Sequence, residues 1–171
     1  MRRILAALLG LAAVGALAVP AAASASAAVP ACTAADLGVW VAISQGSAAA
    51  GSVFYPLEFT NLSRHACSMD GYPGVSAMSR ADTQQGSAAS RYPDGTPRAV
   101  VVAAGATAHA QLVWSDAEVY TAPDCHPTSD VATLRVYPPG QRSATSAMFS
   151  LEACTRPGAS FMSVGPIVPG D

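Results

Sequence analysis

The chain contains no lysine; all nine of its basic residues are arginine. That absence excludes Schiff-base chemistry, a lysine general base and a phosphate-loop lysine. Nor is there any run of basic residues. Phosphate neutralisation needs clustered cations, so nucleic acid is not expected as a partner. Catalytic signatures are missing as well: there is no H-E-x-x-H, no G-x-S-x-G and no glycine-rich phosphate loop. No C-x-x-C pair occurs, which leaves zinc knuckles and thioredoxin-like redox motifs without support. Beyond residue 27 no segment carries an amphipathic helical period.

What is present begins with an export signal. Arg2 and Arg3 form a positive n-region, and Ile4 to Val19 is an uncharged apolar and small-residue run ended by Pro20. A small-residue stretch from Ala21 to Ala28 offers cleavage sites of the A-x-A kind, one after Ala23 and one after Ala27. The apolar run is short for a spanning helix, which needs about 20 residues. Residues 1–27 therefore read as a secretory signal peptide, with the mature chain starting near Ala28. An ordinary n-region is preferred over a twin-arginine signal for Arg2-Arg3. Lipid attachment needs a cysteine directly behind the apolar run, whereas Cys32 lies beyond it after Val29-Pro30-Ala31.

Removing residues 1–27 leaves 144 of the 171 residues, one domain by length and large enough to bury a core. Seven basic residues then face eleven acidic ones. The four cysteines, Cys32, Cys67, Cys125 and Cys154, form an even set, which in an exported chain reads as a disulfide framework. Four cysteines allow three connectivities. Cys32–Cys67 with Cys125–Cys154 is the expected one, each bond closing a loop of about thirty residues.

Alternating apolar residues then mark strands. Leu37, Val39, Val41 and Ile43 share one parity, as do Val53, Tyr55, Leu57 and Phe59. Pro56 inside the second set suggests an edge strand or a bulge. Further strands are predicted over Val75–Ser79, Arg98–Ala103, Ala108–Trp114, Ala132–Val136, Ala147–Leu151 and Phe161–Val168. Gly/Pro turns separate them, among them Asp70-Gly71-Tyr72-Pro73-Gly74 and Pro138-Pro139-Gly140. Seven to eight short strands of this kind predict an all-β, immunoglobulin-like β-sandwich over residues 28–171. Strand order is not readable from the pattern. Arg80–Pro97 and Ser115–Asp130 are long polar connections of the kind that carry function or lack order.

Individual chemistry-bearing residues favour bland readings. His109 sits opposite the apolar set of its strand and reads as solvent-facing. His65 and His126 neighbour cysteines that disulfides would occupy, so no metal site is expected there. Met69, Met78, Met148 and Met162 are scattered as packing residues rather than clustered as copper ligands. Asp116, Glu118 and Asp124 read as solvated loop acids; a glycosidase carboxylate pair, distant in sequence and close in space, is a matter for the fold. Asn61-Leu62-Ser63 matches a glycosylation sequon. Trp40 and Tyr137 oppose the apolar sets of their strands and would form an aromatic patch if both faced outward on one sheet.

Several segments in order also carry a family resemblance. They are Cys32 near the mature start, Gly51 before the strand ending Leu57-Glu58-Phe59-Thr60-Asn61, and Cys67-Ser68-Met69-Asp70-Gly71-Tyr72-Pro73-Gly74-Val75. Ala104-Gly105, Ala110-Gln111-Leu112-Val113-Trp114, Cys125, Val136-Tyr137-Pro138-Pro139 and Cys154 complete them. The mature chain resembles an actinobacterial family of exported proteins catalogued as domain of unknown function four-two-three-two. The resemblance covers nearly all of the mature chain, and Cys-x-x-x-Gly-Tyr-Pro is its most specific part. It implies export and a single β-rich domain, and it supplies no activity. Many members resemble lipoproteins, but this chain has no lipobox.

The expected function is a non-enzymatic extracellular or cell-envelope binding module: a secreted monomer with no cofactor and no membrane segment after signal cleavage. Its partner would be an extracellular protein or a cell-wall component. One alternative is a secreted protease inhibitor presenting Ser63–Gly71 or Asp124–Thr128 as a rigid loop beside a disulfide. The other is a wall-polymer hydrolase, which would need an acidic or histidine-containing cleft.

Overall fold

The β-branched and aromatic runs form strands, joined through Gly, Pro and Ser turns and three short 3-10 turns. The computed structural model describes residues 28–93, 95–120, 125–154, 158 and 161–170. The signal peptide assigned to residues 1–27, its cleavage site and Asp124 lie outside the described residues. Among the described residues no helix is long and apolar enough to cross a membrane.

In chain order the strands are β1 (Leu37–Val41), β2 (Ser47–Ala49), β3 (Ser52–Asn61), β4 (Cys67–Met69), β5 (Gly74–Ser79), β6 (Gln84–Gln85), β7 (Ser90–Arg91) and β8 (Val100–Val102). They continue with β9 (Thr107–Ser115), β10 (Pro127–Thr128), β11 (Val131–Tyr137), β12 (Thr145–Met148), β13 (Ala153–Cys154), β14 (Met162–Val164) and β15 (Val168–Pro169). A front sheet runs β1-β3-β9-β14-β7, with β2 also paired to β3 and β15 to β9. A back sheet runs β12-β11-β5-β6, and β4–β8 and β10–β13 form two small ribbons.

The two main sheets share one core. Leu57, Phe59, Leu112 and Trp114 enter it from the front, and Val75, Ala77, Leu134 and Val136 from the back. The protein is thus an all-β sandwich with two disulfides, the class its alternation predicts. Burial of this apolar surface is the main force holding the sheets together, at about 25 cal/mol per Å² removed from water.

Four local readings change. Ile43 does not continue β1: it lies exposed in a 3-10 turn, Ile43–Gln45, closed by the Gln45 N–H donating to the Ala42 carbonyl. Pro56 does not mark an edge strand, because β3 is interior, between β9 on one side and β1 and β2 on the other. That same 3-10 turn separates β1 from β2 and lies opposite Pro56. The missing Pro56 N–H therefore costs no ladder bond, while its carbonyl accepts from the Ala42 N–H at 2.9 Å. In β11 a register shift between Val131 and Thr133 buries Val131 and leaves Ala132 half-buried. The last predicted strand divides into β14 and β15 at Gly165-Pro166-Ile167.

Both long polar connections carry short strands. β6 and β7 lie within residues 80–97 and β10 within 115–130. Gly86, in the first, has φ +66°, and a Cβ there would stand 2.5 Å from the Phe161 ring and 2.7 Å from the Cys154 carbonyl oxygen. Only glycine lets this loop lie against the core.

The disulfides are Cys32–Cys67 and Cys125–Cys154, as expected, with Cα atoms 4.9 Å apart in each. The first fastens the N-terminal segment to β4, where the Cys32 N–H donates to the Ser68 carbonyl and the Ser68 N–H to the Pro30 carbonyl. Just after it, the Asp36 carboxylate accepts from the Thr33 N–H at 2.8 Å and the Thr33 hydroxyl at 2.7 Å. These bonds hold the Asp36 carboxyl below the usual carboxylate range and steer the chain into β1.

Candidate functional site

Strand parity divides the front sheet into a core face and an outer face. On β3, Tyr55, Leu57 and Phe59 point inward and Phe54, Pro56, Glu58 and Thr60 outward. On β9, Ala108, Ala110, Leu112 and Trp114 are inward and Thr107, His109 and Gln111 outward. Register then assembles cross-strand rows. Trp40 of β1 stands opposite Glu58, Glu58 opposite His109, and His109 opposite Val168 of β15. The neighbouring row pairs Pro56 with Gln111, and the row on the other side pairs Thr60 with Thr107, whose hydroxyls are 2.7 Å apart.

Three adjoining depressions follow these rows, with volumes of about 340, 170 and 120 Å³. His109 lines all three. Glu58 and Thr107 line the largest, Gln111 and Gly165 the second, and Gln45 with Phe54 the third. Together they form one groove across the outer face. Among the described residues its walls carry the Glu58 carboxylate, the His109 imidazole, the carboxamides of Gln45 and Gln111 and the hydroxyls of Ser47, Tyr55 and Thr107, with Trp40 at its margin 45 % exposed. His109 is half-buried, as a solvent-facing strand residue would be. Sequence reading singled out His109 and Trp40 separately but missed Glu58, Gln45 and Gln111. Outward parity was the only signal Glu58 and Gln111 carried, and it does not say which strands are neighbours; Gln45 lies in the 3-10 turn after β1 and carried none.

Tyr137 does not join Trp40. It lies on β11 in the back sheet, where it packs against Gly74, so the two aromatics occupy different sheets. A different aromatic set forms in the core. Trp114 meets Phe149 and Phe161 edge-to-face at 5.1 and 4.9 Å, and Tyr55 meets Phe149 at 5.4 Å.

A second cleft, of about 260 Å³, opens at one end of the sandwich. The 3-10 turn Ala117–Val119 brings exposed Asp116 and Glu118 to its rim, Glu152 joins them, and Val53, Trp114 and Leu151 form the floor. Among the described residues no three acidic, histidine or cysteine side chains converge as metal ligands. Burial, and secondly the Asp116 charge, push the Tyr55 phenol above its ordinary value of 10. A phenol whose folded pKa is raised favours folding below its unfolded pKa and loses that contribution as pH climbs through the folded one. Stability is therefore expected to fall more steeply above about pH 10 in the wild type than in Tyr55→Phe. Urea melts of both proteins at pH 8 and 11 check this.

His65 and His126 are exposed and lie apart from the groove. Met69, Met78 and Met162 pack in the interior, and Met148 is exposed. Part of each segment considered as an inhibitor loop is paired in a ladder: Cys67–Met69 with β8, and Pro127–Thr128 with β13.

The glycosylation sequon is sealed. Asn61 has no exposed surface. Its Nδ2 donates to the His65 carbonyl at 2.8 Å and the Val102 carbonyl at 2.9 Å, and its Oδ1 accepts from the Ser63 N–H and hydroxyl. The side chain thus ties the end of β3 to β8 and to the turn before β4. Asn61→Ala is expected to cost about 2–3 kcal/mol in denaturant unfolding, because two carbonyls lose their buried donor. Mass spectrometry of the folded chain from a glycosylating host should find Asn61 unmodified.

The Gly71-Tyr72-Pro73 turn is structural too. The Gly71 carbonyl accepts from the Ile167 N–H at 2.9 Å, and the Arg91 guanidinium sits 5.1 Å above the Tyr72 ring. The motif therefore fastens the last strands to the start of β5.

A family model described as Domain of unknown function (DUF4232) matches residues 32–167. No curated protein and no solved structure matches the chain.

Proposed function

The chain belongs to the family described as Domain of unknown function (DUF4232), and from that premise we propose that it is an exported, non-enzymatic binding module acting outside the cell or at its envelope. The observation that carries this reading is the groove on the outer face of the front sheet. A rigid two-sheet scaffold displays there a continuous row of hydrogen-bonding side chains beside an exposed tryptophan. Sites that bind without reacting need shape and convergent polar groups rather than an activated nucleophile. Export is supported by the charged and apolar N-terminal sequence and by two disulfides, which persist in oxidising compartments.

The test uses the protein secreted by its own host. N-terminal sequencing should find a start near Ala28. Immobilised, the protein should retain one defined component from culture supernatant or from purified cell-wall fractions. A chain that keeps residues 1–27 and stays inside the cell would refute export. Retention of nothing from either fraction would refute the binding role.

A further inference from the structure

We propose that the Trp40–Glu58–His109 row is a glycan-binding subsite for a short, uncharged oligosaccharide segment, an inference that rests on the binding-module reading and specifies its ligand. The row spans the adjacent strands β1, β3, β9 and β15, from Trp40 to Val168. Three inter-strand spacings make it about 14 Å long, the scale of a few linked sugar rings rather than of one small metabolite.

The chemistry of the walls selects among ligands. A nucleic acid or a phosphorylated ligand needs cations, and among the described residues no arginine lines the three depressions. A divalent cation needs several converging oxygen ligands, and among the described residues Glu58 is the sole carboxylate lining the groove. The buried centre of a protein interface is apolar and poor in charge, whereas the centre here is Glu58 beside His109. Sugar hydroxyls are both donors and acceptors on a ring whose C–H faces are apolar. Glu58 offers acceptors, while Gln45, Gln111 and His109 each offer a donor and an acceptor to such a ligand. Among the described residues these four side chains enter no hydrogen bond within the protein, so their capacity faces outward. Trp40, flanking Glu58, supplies the face on which a sugar ring can lie, its negative π surface meeting the ring's C–H groups.

Trp40 also supplies the measurement. The chain has two tryptophans; Trp114 is 1 % exposed and Trp40 45 % exposed. A ligand seated on the groove therefore changes the emission and acrylamide quenching of Trp40 alone. The probes are chitotetraose and cellotetraose, titrated into the secreted protein and into Trp40→Phe, His109→Ala and Gln111→Ala. Near-UV circular dichroism confirms that each variant is folded. The indole N–H resonance of Trp40 and the backbone shifts of residues 107–111 give a second readout that needs no variant. At least one probe should saturate with a Kd of about 1 mM or tighter. The Trp40 signal should become protected from quenching, and affinity should fall at least tenfold in His109→Ala or Gln111→Ala.

Absence of a saturable response to both probes in wild type, or saturation with shifts confined to residues outside the groove, overturns the glycan subsite. Retention of wild type, His109→Ala and Gln111→Ala to the same extent on purified wall material overturns it as well and leaves the binding-module reading standing. Capture of a protein ligand with no response to either oligosaccharide has the same consequence. Failure of wild type to retain any wall or supernatant component overturns both.

Discussion

Trp114→Ala is expected to lower the unfolding free energy by about 4–5 kcal/mol, the upper range for deleting a buried aromatic. Trp114 is 1 % exposed and stands at the centre of the edge-to-face cluster with Phe149 and Phe161. Its indole N–H donates to the Glu152 carbonyl at 2.8 Å. Truncation opens a cavity between β9, β14 and the segment after β12, and it leaves the Glu152 carbonyl without that donor. Trp114→Phe separates the two effects. It keeps most of the apolar volume and should lose about 1–2 kcal/mol through the hydrogen bond and the smaller ring. Chemical denaturation with both variants checks the ordering. Equal losses in the two would show that packing around Trp114 contributes little.

Removing either disulfide is expected to cost about 3–4 kcal/mol, the chain-entropy value for loops of this length. The sequence separations are 35 for Cys32–Cys67 and 29 for Cys125–Cys154, so the two losses should differ by only a few tenths of a kcal/mol. Their structural consequences should differ more. Cys32–Cys67 fixes the N-terminal segment against β4, and its loss should free hydrogen exchange over residues 30–36. Cys125–Cys154 joins the segment just before β10 to β13 beside the floor of the acidic cleft, and its loss should free exchange over residues 125–128 and 151–154. Each loss is a large part of the 5–15 kcal/mol typical of a folded domain, so reduction of both bonds should unfold the protein near 37 °C. A melting temperature unchanged by reductant would contradict this.

The parity sets were legible because side-chain alternation in a strand has a period of two and needs no partner to be seen. Tyr55, Leu57 and Phe59 on one strand, and Ala108 to Trp114 on another, all lie inward as their alternation indicates. Ile43 and Ala132 break the pattern for local reasons that hydrophobicity does not encode. A 3-10 turn ends β1 before Ile43, and a register shift in β11 hands the inward position to Val131. The asparagine of the sequon is visible in sequence, but its burial depends on β8, 41 residues away, as well as on the local turn at His65.

The candidate site was legible only in fragments. Trp40, Glu58 and His109 are 18 and 51 positions apart along the chain and become neighbours through the registers of β1 with β3 and of β3 with β9. Outward parity marked each as solvent-facing. Nothing in the spacing linked one to another, and parity left open whether Trp40 shares a sheet with Tyr137, which the fold assigns to the opposite sheet.

By itself, then, the sequence determined the all-β class and most of the faces that turn inward, and it favoured the neighbour-to-neighbour cysteine pairing among the three that were open. All three follow from local alternation, turn residues and loop length. Tertiary structure alone decided which strands lie side by side, that Pro56 falls opposite a break in the ladder, that Asn61 is sealed, and that a carboxylate, an imidazole and a tryptophan form one row. The physical reason is register. A strand's own residues fix its two faces, but the neighbour it meets, and the offset at which they meet, are set by how all the strands together bury a common core.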